Sequence, residues 1–164
     1  MTCGSGSHPV RAPAFVRRWG RAGAWLAALM LGWHTLVAQA EQYVEAGDFR
    51  VHYAVINTTE LTPEVARQFG VERTGNRILL VLNAQQRVDG RFQPVPATAS
   101  GTATTLLGHV QTLRLRPVRE ADVHYVIASF ETLDGEFMTI DVRVLPAGAN
   151  APIPIRFRQQ FYRN

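Results

Sequence analysis

The stretch VHYVIASFETLDGEFMTIDVRVL, residues 123–145, decides the fold. Apolar and polar residues alternate on both sides of Asp134-Gly135, and a period of two marks strands with one face against a core. Asp-Gly is a favoured pair for a two-residue type I′ turn, so the reading predicts a hairpin. Pairing outward from that turn sets Tyr125, Ile127 and Ser129 against Val144, Val142 and Ile140, one aliphatic face. The opposite face sets Phe130 with Thr139, Ala128 with Asp141 and Val126 with Arg143.

The same period recurs on both sides. Phe49, Val51, Tyr53 and Val55 alternate with Arg50, His52, Ala54 and Ile56. In RILLVLNAQQ, residues 77–86, the apolar run from Ile78 to Leu82 is unbroken, as a central strand covered on both faces requires. Asp89-Gly90 turns the chain into RFQPVP, whose Pro94 and Pro96 suit a sheet edge. ATASGTATTLLG, residues 97–108, reads as a loop or a weak strand. VQTLRLRPV sets Leu113 and Leu115 against Arg114 and Arg116, and PIPIRFRQQFY sets Ile153, Ile155 and Phe157 against Arg156 and Arg158. The one helical segment is NTTELTPEVARQFG, residues 57–70: Thr62 suits the N-cap, Pro63 the first position, Glu64 the positive dipole end and Gly70 the stop. So short a helix must be held by packing, through Leu61, Val65 and Phe69. Seven or eight short strands with one small helix predict an all-β fold, an immunoglobulin-like antiparallel β-sandwich. The Val-His-Tyr triplets at 51–53 and 123–125 read as two strands of one sandwich, because no sustained internal period joins them.

Residues 1–40 read as a signal peptide. Arg11, Arg17, Arg18 and Arg21 precede the apolar run AGAWLAALMLGWHTLVAQA, which ends in the small-x-small site Ala38-Gln39-Ala40. His34 and Thr35 interrupt the run and it falls short of the ~20 residues a bilayer needs, so cleavage before Glu41 is expected, with no stable membrane anchor afterwards. The expected mature chain, residues 41–164, is one domain in the periplasm. Four of the 17 basic residues and none of the 13 acids precede Glu41, leaving 13 of each. Without a basic surplus gathered on one face, a nucleic-acid partner is not expected.

Chemistry is limited by missing residue types. The sequence has no lysine, its one cysteine is Cys3, and its three tryptophans lie at 19, 25 and 33, so residues 41–164 hold no thiol and no side-chain amine. Ser100 and Ser129 are the serines there, and neither sits in a Gly-x-Ser-x-Gly elbow. Glu131, Asp134, Glu136 and Asp141 are acids for a glycosidase pair, yet Asp134 already serves the turn. His52, His109 and His124 lack short-range ligand spacing; His52 and His124 meet only if their strands are neighbours in register, with Glu120 or Asp122 as a third ligand. No catalytic residue, cofactor or metal site is assigned.

The blocks GDFRVHYAVINTTELTPEVARQFGVERTGNR, LLGHVQTLRL, ADVHYVIASF and IRFRQQFY together resemble the DUF4426 family, small exported proteobacterial proteins whose domain is of unknown function. The resemblance spans essentially the whole of residues 41–164. It implies a periplasmic all-β protein and brings no catalytic residues.

Two functional classes follow. The leading expectation is a non-catalytic sandwich that binds an envelope protein or other envelope ligand. Its interaction surface is placed on the long connection after residue 56, at Asn57, Thr58, Thr59, Glu60, Glu64, Arg67 and Gln68, because loops on a rigid sandwich carry recognition. The alternative is a small-ligand or metal-binding protein, an enzyme included, built on His52 and His124.

Overall fold

The computed structural model describes residues 42–163. The expected leader, its cleavage site and Glu41 lie outside the described residues.

Strands form where the sequence alternates. They are β1 (Tyr43–Ala46), β2 (Phe49–Asn57), β3 (Arg77–Val88), β4 (Arg91–Pro94), β5 (Ala97–Thr105), β6 (Val110–Thr112), β7 (Arg116–Glu120), β8 (Val123–Glu131), β9 (Glu136–Pro146) and β10 (Ile153–Phe161). A 3-10 turn (Thr58–Glu60) and the helix α1 (Pro63–Gln68) lie between β2 and β3. One antiparallel sheet runs β1-β2-β3-β8-β7, with β4 also on β3; the other runs β10-β9-β5-β6. The fold is the expected all-β sandwich, immunoglobulin-like in broad layout.

Its core lies between the sheets. Val51, Ile78, Leu80, Leu82, Val126 and Phe130 of the first sheet meet Met138, Ile140, Val142, Val144, Ile153 and Ile155 of the second, all buried. Burying each such side chain contributes about 1.5–3 kcal/mol. The unbroken run in β3 is explained as expected: Leu80 and Leu82 face the core, while Leu79 is buried on the opposite side.

The hairpin predicted at Asp134-Gly135 does not form. β8 pairs with β3 and β7, whereas β9 pairs with β10 and β5, so the turn carries the chain from one sheet to the other. The backbone shows why. Glu136 N–H donates to Leu133 C=O (3.3 Å) and Gly135 has φ +67°, but Asp134 is not in the positive-φ region. A type I′ turn needs positive φ at both positions, and a turn without it splays its two strands. The true type I′ signature is at the other Asp-Gly pair: Asp89 (φ +49°) and Gly90 (φ +77°) join β3 to β4 with Val88 opposite Arg91.

The same rearrangement moves the β8 faces. Val126, Ala128 and Phe130 point into the core, and Tyr125, Ile127 and Ser129 lie on the outer face, the reverse of the predicted assignment. β9 keeps its predicted apolar face. Residues 97–105 form a full central strand of the second sheet, with Ala103 completely buried. Its small side chains reflect crowding, not looseness.

Candidate functional site

The connection from Asn57 to Asn76 is built by local capping. Asn57 Oδ1 accepts from Thr59 N–H (3.2 Å) and Thr59 Oγ1 (2.9 Å), while its Nδ2 donates to Tyr162 C=O (3.2 Å). Thr58, fully buried, donates to Thr74 C=O (3.0 Å) and accepts from Thr74 N–H (3.1 Å). Thr62 caps α1 by accepting from Val65 N–H (3.3 Å). At the other end Val71 N–H bonds Ala66 C=O (2.8 Å) and Gly70 N–H bonds Arg67 C=O (3.1 Å), with Gly70 at φ +58°. That is a Schellman stop, available because glycine tolerates the left-handed region. Ala66 is the buried residue of α1; Leu61, Val65 and Phe69 are half-buried.

This segment lies over the outer face of the first sheet. The Phe69 ring is 6.4 Å from that of Tyr125, Arg116 donates to Phe69 C=O, and Gln68 donates to Glu120 (3.4 Å). Of the expected interaction residues, Asn57, Thr58 and Thr59 therefore have internal partners. Glu60, Glu64, Arg67 and Gln68 are exposed, with Glu64 and Arg67 paired to one another at 3.2 Å.

The two histidines are not brought together. His52 lies opposite Asn83, and Asn83 lies opposite Tyr125, so His52 shares the outer face with Tyr125. His124, one residue earlier on β8, has the opposite parity. The Val-His-Tyr triplets thus present their histidines to opposite faces of one sheet, two strands apart. His52 instead stands beside Tyr43, with ring centroids 5.5 Å apart. Among the described residues, no three His, Cys, Asp or Glu side chains converge.

The carboxylates have structural partners. Glu131 pairs with Arg77 (3.1 Å), Asp134 accepts from Arg163 N–H (3.0 Å), and Glu136 accepts from Leu133 N–H (2.9 Å). Asp141 lies 3.9 Å from Arg156.

One feature escaped the alternation argument. At the end of the sandwich that holds the β5–β6 and β8–β9 loops, a cavity of about 360 Å3 is lined by Leu107, His109, Thr132 and Leu133. Leu107 is 98% exposed, Leu133 66% and the neighbouring Leu106 63%; Val110 is exposed as well. The sequence signal was the Leu106-Leu107 pair closing a run of small polar residues, apolar beyond what a turn needs.

The fold is an antiparallel β-sandwich in which no group of three His, Cys, Asp or Glu side chains among the described residues could hold a metal ion. The chain belongs to the DUF4426 family, a domain of unknown function whose model matches residues 43–164. It is similar to the crystal structure of a DUF4426 family protein from Pseudomonas aeruginosa, at 28% identity and TM-score 0.66, covering 77% of this chain and 98% of that one. At 13% identity and TM-score 0.54 it also matches FetP of uropathogenic Escherichia coli, expressed in the periplasm, covering 76% and 95%. A copper-bound variant of FetP matches at 14% and TM-score 0.53, covering 76% and 97%. No curated protein matches the chain.

Proposed function

We propose that residues 41–164 form a non-catalytic binding module of the periplasm that engages an envelope protein through the loop end carrying Leu106, Leu107, Val110 and Leu133. The carrying observation is the exposure of these side chains, two of which, Leu107 and Leu133, line one cavity. Apolar surface gathered in this way marks contact sites, because each exposed leucine forgoes a favourable transfer from water. Periplasmic location is supported by the leader-like residues 1–40, by a family match that begins at residue 43, and by a similarly folded protein having been expressed there.

A photo-crosslinking residue placed at position 107 of the exported protein tests the proposal, with position 158 on the second sheet as control. A discrete crosslinked species from 107, lost in the Leu133→Glu variant, is the expected result. Equal crosslinking from both positions, or none from 107, would refute it. Alanine at Glu64, Arg67 and Gln68 in the same experiment reads the competing α1 surface: loss of the species there moves the interface to that connection.

A second reading, a metal or small-ligand protein, draws on the copper-bound variant among the similar structures. A metal here would use His52 or His124 with other donors, because the two do not meet. Element analysis of untagged protein tests it, and stoichiometric copper or zinc lost on changing His52 or His124 would favour it.

A further inference from the structure

We propose that a gap in the outer edge of β8, centred on Ser129, binds the C-terminal residue of an extended peptide through its main chain and its terminal carboxylate. In an antiparallel ladder, alternate residues direct N–H and C=O to the same side. Along β8 the side away from β3 belongs to Val123, Tyr125, Ile127, Ser129 and Glu131. Three of these lie opposite β7: Val123 with Glu120, Tyr125 with Val118 and Ile127 with Arg116. Glu131 is served by a side chain: Gln111 accepts from its N–H (3.0 Å) and donates to its C=O (2.8 Å). On the opposite side, towards β3, His124 C=O accepts from the Asn83 side chain and Thr132 N–H donates to Asn76 C=O, as the alternation requires. Ser129 alone in the set has no partner for N–H or C=O among the described residues.

The gap exists because residues 113–115 leave the edge and cross between the sheets, with Leu113 N–H bonding Gly101 C=O (3.0 Å). A cavity of about 510 Å3 opens there, and the five consecutive residues Ile127–Glu131 line it, so strand main chain forms part of its wall. Arg77, Arg114 and Arg116 line it too. Arg77 is held by Glu72 (2.7 Å) and Glu131 (3.1 Å). Arg116 reaches only a neutral carbonyl, that of Phe69, and Arg114 has no hydrogen bond or ion pair among the described residues. Two of the arginines that line the gap therefore have no carboxylate partner among the described residues.

This combination selects its ligand. One peptide residue exchanges both hydrogen bonds with Ser129, its N–H to the C=O and its carbonyl oxygen to the N–H. β7 closes the edge on one side and the Gln111 side chain on the other, so a continuing strand does not fit. A terminal residue does, and its second carboxylate oxygen meets Arg114, which Arg116, engaged by the Phe69 carbonyl, does not replace; paired N–H groups suit a carboxylate. A free amino acid would bring an ammonium group towards the same arginines.

The test titrates the exported protein with N-acetyl-alanyl-alanine, its C-terminal amide, free alanine and acetate, following the Ser129 amide resonance. The dipeptide acid is expected to bind and shift that resonance, with the amide about tenfold weaker because a charge-assisted bond is lost. Arg114→Ala should weaken the acid by about tenfold and leave the amide unchanged. Ser129→Pro, which deletes the N–H, should abolish the site; should that variant not fold, Arg114→Ala decides. Equal binding of acid and amide, or acetate as tight as the dipeptide, would overturn the proposal. So would free alanine binding as tightly, a shift confined to other resonances, or no binding at about 10 mM.

Discussion

Gly101→Ala probes the closest approach in the second sheet. Gly101 lies in β5 opposite Val142 of β9, both central strands. A Cβ there would lie 2.4 Å from the Asp141 carbonyl oxygen, 2.5 Å from Val142 Cγ1 and 2.8 Å from Val142 Cα. Two of these obstacles are main chain, so rotamer change cannot relieve them and the strands must part. Overpacking of this kind costs about 1–3 kcal/mol, with the upper end apt where backbone must move. Against it stands a gain of about 0.4–1 kcal/mol, because alanine restricts the unfolded chain more than glycine does. The net is a destabilisation of about 2 kcal/mol, or a fall in Tm of about 8 °C for a domain of this size. Gly90→Ala is the control: it has open space but φ +77°, so only the left-handed penalty of about 1–2 kcal/mol applies. Thermal unfolding by circular dichroism on residues 41–164 measures both. Gly101→Ala with a Tm equal to or above the parent would refute the argument from close approach.

Other expected outcomes are simpler to read. Thr58→Val keeps the shape of a fully buried side chain but strands the Thr74 N–H, while the Thr74 C=O keeps the Arg77 N–H (3.2 Å); chemical denaturation should show a loss of about 1–3 kcal/mol. Gly135→Val forces a β-branched residue to φ +67°, and a Tm lowered by several degrees is expected although no atom lies closer than 3.7 Å to the new Cβ. An unchanged Tm would mean the turn relaxes to another type. Intact-mass measurement of exported protein should give a chain starting at Glu41; a mass that includes residues 1–40 would contradict the leader reading.

Local physics was written in the sequence, and the structure repeats it. Alternation at Phe49–Val55 and Ile153–Phe157 places apolar side chains on the core face because successive residues of a strand point to opposite sides. Thr62, Pro63 and Gly70 bound a helix because cap chemistry acts within a few residues. Strand pairing was not written there. Two Asp-Gly pairs look alike in sequence, yet one closes a hairpin and the other spans the sandwich. They differ in the sign of φ at the aspartate, and at Asp134 that is set by where β8 and β9 find partners. The proposed surfaces belong to the same category. His52 and His124 were legible as residues, but their placement on opposite faces follows from register across three strands. Leu107 meets Leu133 only once two loops share an end of the sandwich. The open edge at Ser129 arises because residues 113–115 leave one sheet for the other. Periodicity reports which side of a strand is wet; only long-range packing decides which strand lies beside it, and the sites are made there.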